Sequence, residues 1–286
     1  MEVLPAALRP AGTPRRGYRR GGLRALPRAL HDDFGPLIGR TRVPDINLQD
    51  VPVWSKDGVT LYQTSADALL ASLDDQSAGV LTDPPYGIGY DKQLSRLTRK
   101  AREEGKSSSR FRYRDYGDTS WDDQRPDDEI FEELLRVGKE AIVWGGNYFA
   151  DLLPPSQRWL VWDKGQRDFS LADVELAWTS FDKASRCKTI ARSAAFPEGR
   201  IHPTQKPLEL ISWCLSFLDP DLVVVDPFAG SATTAVACLR AGRKFVGCEI
   251  FPTYFEKAVV RLEDEWSKPT LPGFGELRPA QEEMFQ

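Results

Sequence analysis

A doubly wound, mostly parallel α/β sheet is the fold class that this 286-residue sequence predicts. Two observations point there. Short runs rich in β-branched residues alternate with stretches of helical apolar spacing, the pattern of β-α units. Several of the runs end abruptly in Pro, Gly or acidic residues, and one of them, Leu222 to Val225, is continuously apolar, as expected of a strand covered on both faces.

Taken in order, residues 1–50 are rich in Pro, Gly and Arg, lack periodicity, and read as a disordered extension. Order begins near Val59, with 58–62 a short strand and 66–73 a helix whose Leu69, Leu70 and Leu73 share a face. Ala78 to Thr82 is a second strand, stopped by Asp83-Pro84-Pro85-Tyr86 because proline donates no ladder bond. Residues 91–125 are polar, charged and Ser-rich, a long loop of the kind that carries function or is disordered. A helix over 127–137 follows, then strands at 141–144, 159–162 and 174–178. Residues 179–200 read as a polar, basic connection. Leu208, Ile211, Leu215 and Leu218 have helical spacing, and the run 222–225 leads through a small-residue loop into a helix ending near Leu239. A strand over 244–248, a helix over 254–266 and a polar tail, 269–286, complete the chain, so that 51–268 form the folded domain.

Composition narrows the class of function. At 41% apolar residues the chain has enough material for a sizeable core. The net charge of -4 hides a local excess: nine Lys or Arg against two Glu between Lys92 and Arg114, and nine Arg against three acidic residues before Val43. Both stretches suit phosphates, and both are also compatible with solvated loops. Cys187, Cys214, Cys238 and Cys248 form no C-x-x-C pair and stand beside no His cluster, which argues against a zinc site or a disulfide framework and fits a reducing cytoplasm. No apolar run approaches the ~18 residues of a membrane helix, and the N-terminus, with Arg after its apolar stretch, does not read as a signal peptide.

Two segments carry chemistry. In Asp226-Pro227-Phe228-Ala229-Gly230-Ser231-Ala232-Thr233-Thr234, small residues between a buried strand and a helix let a ligand approach the backbone closely. Glu249, at the end of the next strand, is an acidic residue about 20 positions on, suited to accepting both hydroxyls of a ribose. The same spacing also fits an ordinary strand–turn–helix corner. The loop lacks G-x-G-x-x-G, which disfavours a nicotinamide cofactor. In Asp83-Pro84-Pro85-Tyr86, a carboxylate and a proline-stiffened backbone carbonyl can accept the two N–H bonds of a nucleobase amino group, whose lone pair is otherwise delocalised into the ring. Tyr86 adds an aromatic face for an extruded base. A plain proline turn explains those four residues equally simply.

Together the two segments resemble the amino-directed DNA methyltransferases, which carry D-P-P-Y at a catalytic strand and D-P-F-x-G-S-G-T-T at a cofactor strand. A third family element, His202-Pro203-Thr204-Gln205-Lys206-Pro207, precedes the cofactor strand. The order of the three matches the permuted β group, so the resemblance, spanning about residues 58–266, implies a Rossmann-like methyltransferase sheet in which the catalytic strand is the fourth and the first two strands come last. It implies that S-adenosylmethionine is held by the 226–234 loop, Glu249, His202, Thr204, Gln205 and Lys206. Gly145-Gly146-Asn147-Tyr148-Phe149 and Trp159 to Lys164 are weaker echoes. One departure stands out. The family usually has Gly where this chain has Ala232, which costs nothing in a helical conformation and on the order of 1 kcal/mol at positive φ.

The Asp form of the catalytic motif mostly accompanies adenine N6 in that family, and the Ser form cytosine N4. The resemblance therefore implies a site-specific DNA adenine methyltransferase, with cytosine N4 as the alternative and RNA methylation or an inactive DNA-binding module as remoter ones. Protein-glutamine methyltransferases carry N-P-P-Y after their cofactor motif, the reverse of the order here. No nuclease-like motif suggests a fused restriction activity. DNA contacts are expected from Lys92, Arg96, Arg99, Lys100, Arg110, Arg112 and Arg114 in the long loop, where Phe111 and Tyr113 interleave with the cations. Further contacts are expected from Lys183, Arg186, Lys188 and Arg192 in the 179–200 segment, where the β group places target recognition. A homodimer is an expectation of the same kind. The last residues include Gln281, Met284 and Phe285, resembling the Q-x-x-[LM]-F peptides that dock on a replication sliding clamp, although matches this short also arise by chance.

Overall fold

The computed structural model describes residues 47–89, 122, 124–167, 172–197, 199–202 and 204–268, all within one compact unit spanning 43–286. Among the described residues nine strands form a single sheet: β1 (Val53–Lys56), β2 (Val59–Tyr62), β3 (Ala78–Thr82), β4 (Gly138–Trp144), β5 (Trp159–Asp163), β6 (Val174–Thr179), β7 (Arg186–Thr189), β8 (Val223–Asp226) and β9 (Phe245–Cys248). Their order is β1-β2-β9-β8-β3-β4-β6-β5-β7. The neighbours from β2 to β4 are all parallel, as are β5 and β7, whereas β1, and β6 on both of its sides, run antiparallel to their partners. The sheet is thus mostly parallel, as the sequence predicts.

Among the described residues the helices are α1 (Ala66–Ala71), α2 (Asp128–Val137), α3 (Leu208–Leu215), α4 (Thr233–Ala241) and α5 (Pro252–Ser267). One apolar cluster gathers Phe131, Leu134 and Val137 of α2 with Leu70 of α1 and with Val80, Val143 and Val225 from the sheet. The other gathers Leu210, Ile211 and Cys214 of α3, Val236 and Leu239 of α4, and Phe255, Ala258 and Leu262 of α5 with Leu81, Ile142 and Val224. Neighbouring residues of one strand fall in different clusters, so the central strands are covered on both faces, as their continuous apolar runs require. Every residue of β3 is buried.

The chain passes from β8 through α4 to β9 on one side of β8, and from β3 through α2 to β4 on the other side of β3. The parallel pair β8–β3, with Val224 opposite Gly79, is therefore the point where the winding reverses. Ligands of open α/β sheets bind beyond the strand ends at such a point. Asp226 ends β8, and Asp83 directly follows β3.

Two strands escape the sequence reading. β1 lies before the expected start of order and joins β2 through Asp57 (φ 49) and Gly58 (φ 75), the two left-handed residues of a type I′ hairpin. β7 lies inside the segment read as a connection, and pairs with β5 at the edge of the sheet. Its Arg-Cys-Lys-Thr sequence is partly or wholly exposed, because an edge strand needs a backbone ladder on one side and no apolar face.

Candidate active site

Asp83 emerges where the prolines end β3, half-buried, with both carboxylate oxygens engaged. Tyr86 Oη donates to Oδ1 at 2.6 Å, and Lys206 Nζ donates to Oδ2 at 2.5 Å. Lys206 Nζ also lies 3.2 Å from Tyr86 Oη, so the three groups form a closed triangle. The Tyr86 ring stacks on Tyr148, with centroids 4.7 Å apart and planes 17° apart, and meets Phe149 edge-on. One of its faces is thus already taken. Gly145 passes so close beneath it, at φ 69, that a Cβ would fall 2.1 Å from a ring carbon. Glycine at 145 is what lets the Gly145-Gly146-Asn147-Tyr148-Phe149 segment carry Tyr148 and Phe149 up to Tyr86.

A residue the sequence reading did not single out fixes the same loop. Asp122 is buried, and its Oδ1 accepts the amides of Tyr86 (2.9 Å) and Gly87 (3.0 Å), while its carbonyl accepts that of Gly89. Glu175 was also missed. Its Oε1 pairs with Lys164 Nζ at 2.8 Å, and its Oε2, buried and without a hydrogen bond, forms an ion pair with Lys206 Nζ at 3.2 Å. Burial opposes the charge on Glu175, but the ammonium groups of Lys206 and Lys164 outweigh it and hold the carboxyl down at about 2. Burial also disfavours the charge on Lys206, and Asp83 and Glu175 more than compensate, raising its pKa. Asp83 is pushed up by burial against the pull of Lys206, and Tyr86 is raised by burial and by the Asp83 carboxylate, so the phenol remains a donor.

On one side of Asp83 lies a cavity of about 370 Å³, bordered by the 226–234 loop, Glu249, His202 and Tyr254. Asp226 organises this loop. Its Oδ1 accepts Thr82 Oγ1 (2.8 Å) and the Phe228 amide (3.1 Å), and its Oδ2 accepts Thr234 Oγ1 (2.8 Å). Gly230 (φ 50) and Ala232 (φ 56) both take the left-handed conformation. A glycine at 232 would be unstrained there, so the Ala is the costly case. Its methyl is fully buried in the core, which offsets part of the strain. Glu249 is buried, with Oε2 accepting the Gly230 amide (3.0 Å) and Oε1 the Phe251 amide (2.8 Å). Burial still raises its pKa to about 7, and that of Asp226 to about 6. His202, buried among Lys206, Lys257 and the Tyr254 ring, is pushed down to about 3 and is neutral.

On the other side lies a cavity of about 320 Å³, lined by Tyr86, Tyr148, Trp162, Lys164, Arg192 and Arg200 among others. Asp83, Thr204, Gln205 and Lys206 line both cavities, and so form the wall between them.

The structure places the sequence-predicted residues unevenly. Asp83, Pro85, Asp226 to Ser231, Thr233, Thr234, Glu249, His202, Thr204, Gln205 and Lys206 all border the first cavity, while Pro84 and Tyr86 border the second. Three of these side chains also hold partners within the protein. Lys206, expected on the cofactor, gives its ammonium to Asp83, Tyr86 and Glu175. Asp226 commits both oxygens to partners within the protein. Gln205, similarly, accepts the Ile201 amide with its side chain and pins the turn before α3. Of the expected DNA contacts, Lys183 and Arg186 are exposed, Lys188 pairs with Glu209 at 2.8 Å, and Arg192 lines the second cavity. Lys92, Arg96, Arg99, Lys100, Arg110, Arg112 and Arg114 lie outside the described residues, as do Gln281, Met284 and Phe285. Among the described residues no cluster of metal-ligating side chains occurs, and no helix is long and apolar enough to cross a membrane.

Sheet and cavities together define an α/β protein with two adjoining cavities at its switch point. Residues 154–260 match a family model described as DNA methylase. Over 64 residues the chain is 42% identical to "Putative methylase YubD" of Escherichia coli (strain K12), which covers 22% of this chain and 28% of that one. Over 63 residues it is 44% identical to "DNA adenine methyltransferase YhdJ" of the same organism, covering 22% of this chain and 21% of the other. It thus spans about a quarter of the length of these curated relatives. Among solved structures it is similar to that of the M1.HpyAVI–SAM complex, with 20% identity and a TM-score of 0.46 over 71% of this chain and 98% of that one.

Proposed function

We propose that this protein is an S-adenosylmethionine-dependent DNA methyltransferase acting on the exocyclic amino group of an extruded base, adenine N6. The observation that carries this reading is the shared wall: one cavity suited to a nucleoside-type cofactor and one beside an aromatic ring meet at a single carboxylate, Asp83. The 44% identity to a protein named as a DNA adenine methyltransferase supports adenine.

The first cavity fits the cofactor. Its volume falls within the range of small-molecule sites. Glu249 is oriented by two backbone amides and keeps a lone pair on each oxygen for the ribose hydroxyls. The turn from Ala229 to Ser231, opened by Gly230, receives the methionine part. When bound, S-adenosylmethionine supplies a methyl group made electrophilic by a sulfonium.

The rest of the work falls to this chain's own residues. The target amino group donates to Asp83 and to the backbone carbonyl of the proline pair, which draws its lone pair out of conjugation and toward the first cavity. Asp83 then stabilises the positive charge that develops on the nitrogen, from a position fixed before reaction. Tyr86, whose amide Asp122 holds and whose ring stacks on Tyr148, lines the second cavity, which receives the base. The exposed cations Lys183 and Arg186, with Arg192 at the rim of the second cavity, meet the phosphates.

The test is to incubate the protein and S-adenosylmethionine with unmodified genomic DNA and, separately, with RNA, and to analyse the digested nucleosides by mass spectrometry. N6-methyladenine in the DNA is the expected result. N4-methylcytosine would move the target to cytosine, modified RNA alone would move the substrate class, and no methylated base would refute the reading.

A further inference from the structure

The wall between the two cavities holds an alternating row of charges longer than the transfer chemistry uses. Asp83, Lys206, Glu175 and Lys164 follow one another at 2.5, 3.2 and 2.8 Å. The row is built from separate parts of the fold: the loop after β3, the turn before α3, β6, and the residue that follows β5. Register explains the far end. Glu175 pairs with Trp162 across the antiparallel ladder, which brings it beside Lys164, two residues further on. Both lysine side chains are buried, at 6% and 8% exposure, and a buried ammonium group requires a carboxylate partner. Two lysines and two carboxylates balance.

The balance has a consequence for Asp83. A cation with a single buried partner binds it as strongly as geometry allows, and Asp83 would then be a weak acceptor for anything else. Sharing Lys206 with a second carboxylate divides that attraction. We propose that Glu175, backed by Lys164, is a positioning residue that holds Lys206 between two carboxylates and so leaves Asp83 able to accept the target amino group. This rests on the transfer reading above. Other titratable and charged groups that face the row are Tyr86, Asp122, Tyr148, Arg192, Arg200, His202, Cys214 and Asp226.

The two outer members of the row carry opposite charges, which gives the proposal a signature. Glu175→Gln removes a negative charge near Asp83, so the Asp83 ionisation moves to lower pH. Lys164→Met removes the positive charge that neutralises Glu175, so it moves to higher pH. The experiment measures kcat against pH for methyl transfer to DNA in both variants, with S-adenosylmethionine affinity by calorimetry and Asp83 titration by carboxyl carbon NMR. Expected are acid limbs displaced in opposite directions, a drop of kcat of about tenfold or more in Glu175→Gln, and cofactor affinity little changed. Partial rescue by Glu175→Asp is also expected. Limbs that stay put, or move the same way in both variants while activity and melting temperature fall, would mean a merely structural role and overturn the proposal. If the unaltered protein transfers no methyl group, the transfer reading fails. The NMR titrations then decide whether Glu175 and Lys164 tune Asp83 in opposite senses, and no displacement there overturns the positioning role independently.

Discussion

A methyl group added at Gly145 would sit 2.1 Å from the Tyr86 ring, on a residue whose left-handed backbone already disfavours a side chain. Gly145→Ala should therefore displace Tyr86. We expect a loss of about 1–3 kcal/mol in chemical denaturation, the range for overpacking a filled site, and a large fall in kcat. Removing the obstructing ring as well, in Gly145→Ala with Tyr86→Ala, relieves the overlap but keeps the backbone strain and opens a gap beside Tyr148 and Phe149, so neither full stability nor activity should return. Asp122 acts from the other side of the loop. Asp122→Ala leaves the amides of Tyr86 and Gly87 without their acceptor, at a cost of about 1–3 kcal/mol, and should reduce kcat while cofactor affinity stays within about threefold. Asp122→Asn keeps an oxygen at Oδ1 and should recover most of the loss. Asp83 to Tyr86 was legible because proline, acid and aromatic ring are adjacent in the chain. Asp122 was not, since nothing in the sequence ties position 122 to position 86 across a long polar stretch, and Glu175 was hidden within an apolar strand. Ala232 was legible as a question, and its φ of 56 supplies the answer.

At the scale of elements, the loop joining β8 to α4 and the end of β9 act together through Glu249. With its pKa near 7, this carboxyl is largely protonated at pH 6 and largely ionised at pH 7.5. Ribose hydroxyls donate to the charged form, so binding lowers the Glu249 pKa and releases a proton. Affinity for S-adenosylmethionine should accordingly rise with pH through this window, by roughly five- to tenfold between pH 6 and 7.5. Calorimetry in buffers of different ionisation enthalpy reads both the affinity and the proton. Glu249→Gln should bind more weakly and lose the pH dependence, and a variant that keeps the dependence would move the titrating group elsewhere. The elements most easily read were those with strong apolar periodicity or β-branched runs, such as α2 and β8. The hairpin of β1 and β2 carries a sufficient signal in Asp57-Gly58, a dipeptide suited to the left-handed positions of a type I′ turn. β7 carried none, because backbone pairing with β5 alone makes it a strand.

At the scale of the molecule, the winding of the sheet brings together what the chain keeps apart. Asp83 and Asp226 are distant in sequence, yet β3 and β8 are parallel neighbours, and the Thr82 hydroxyl bridges to Asp226 at 2.8 Å. The fold class was legible from the alternation of elements. The strand order was not, since the periodicity of a strand says nothing of its neighbour. The partition into two cavities with Asp83 on their common wall makes transfer and cofactor binding separable. The most direct test compares Asp83→Ala with the unaltered protein, measuring methyl transfer to DNA and S-adenosylmethionine affinity on the same preparations. Transfer should be abolished while affinity stays within about tenfold, a change of about 1.4 kcal/mol. Retention of most of the activity by Asp83→Ala, or loss of cofactor binding together with transfer, would contradict it.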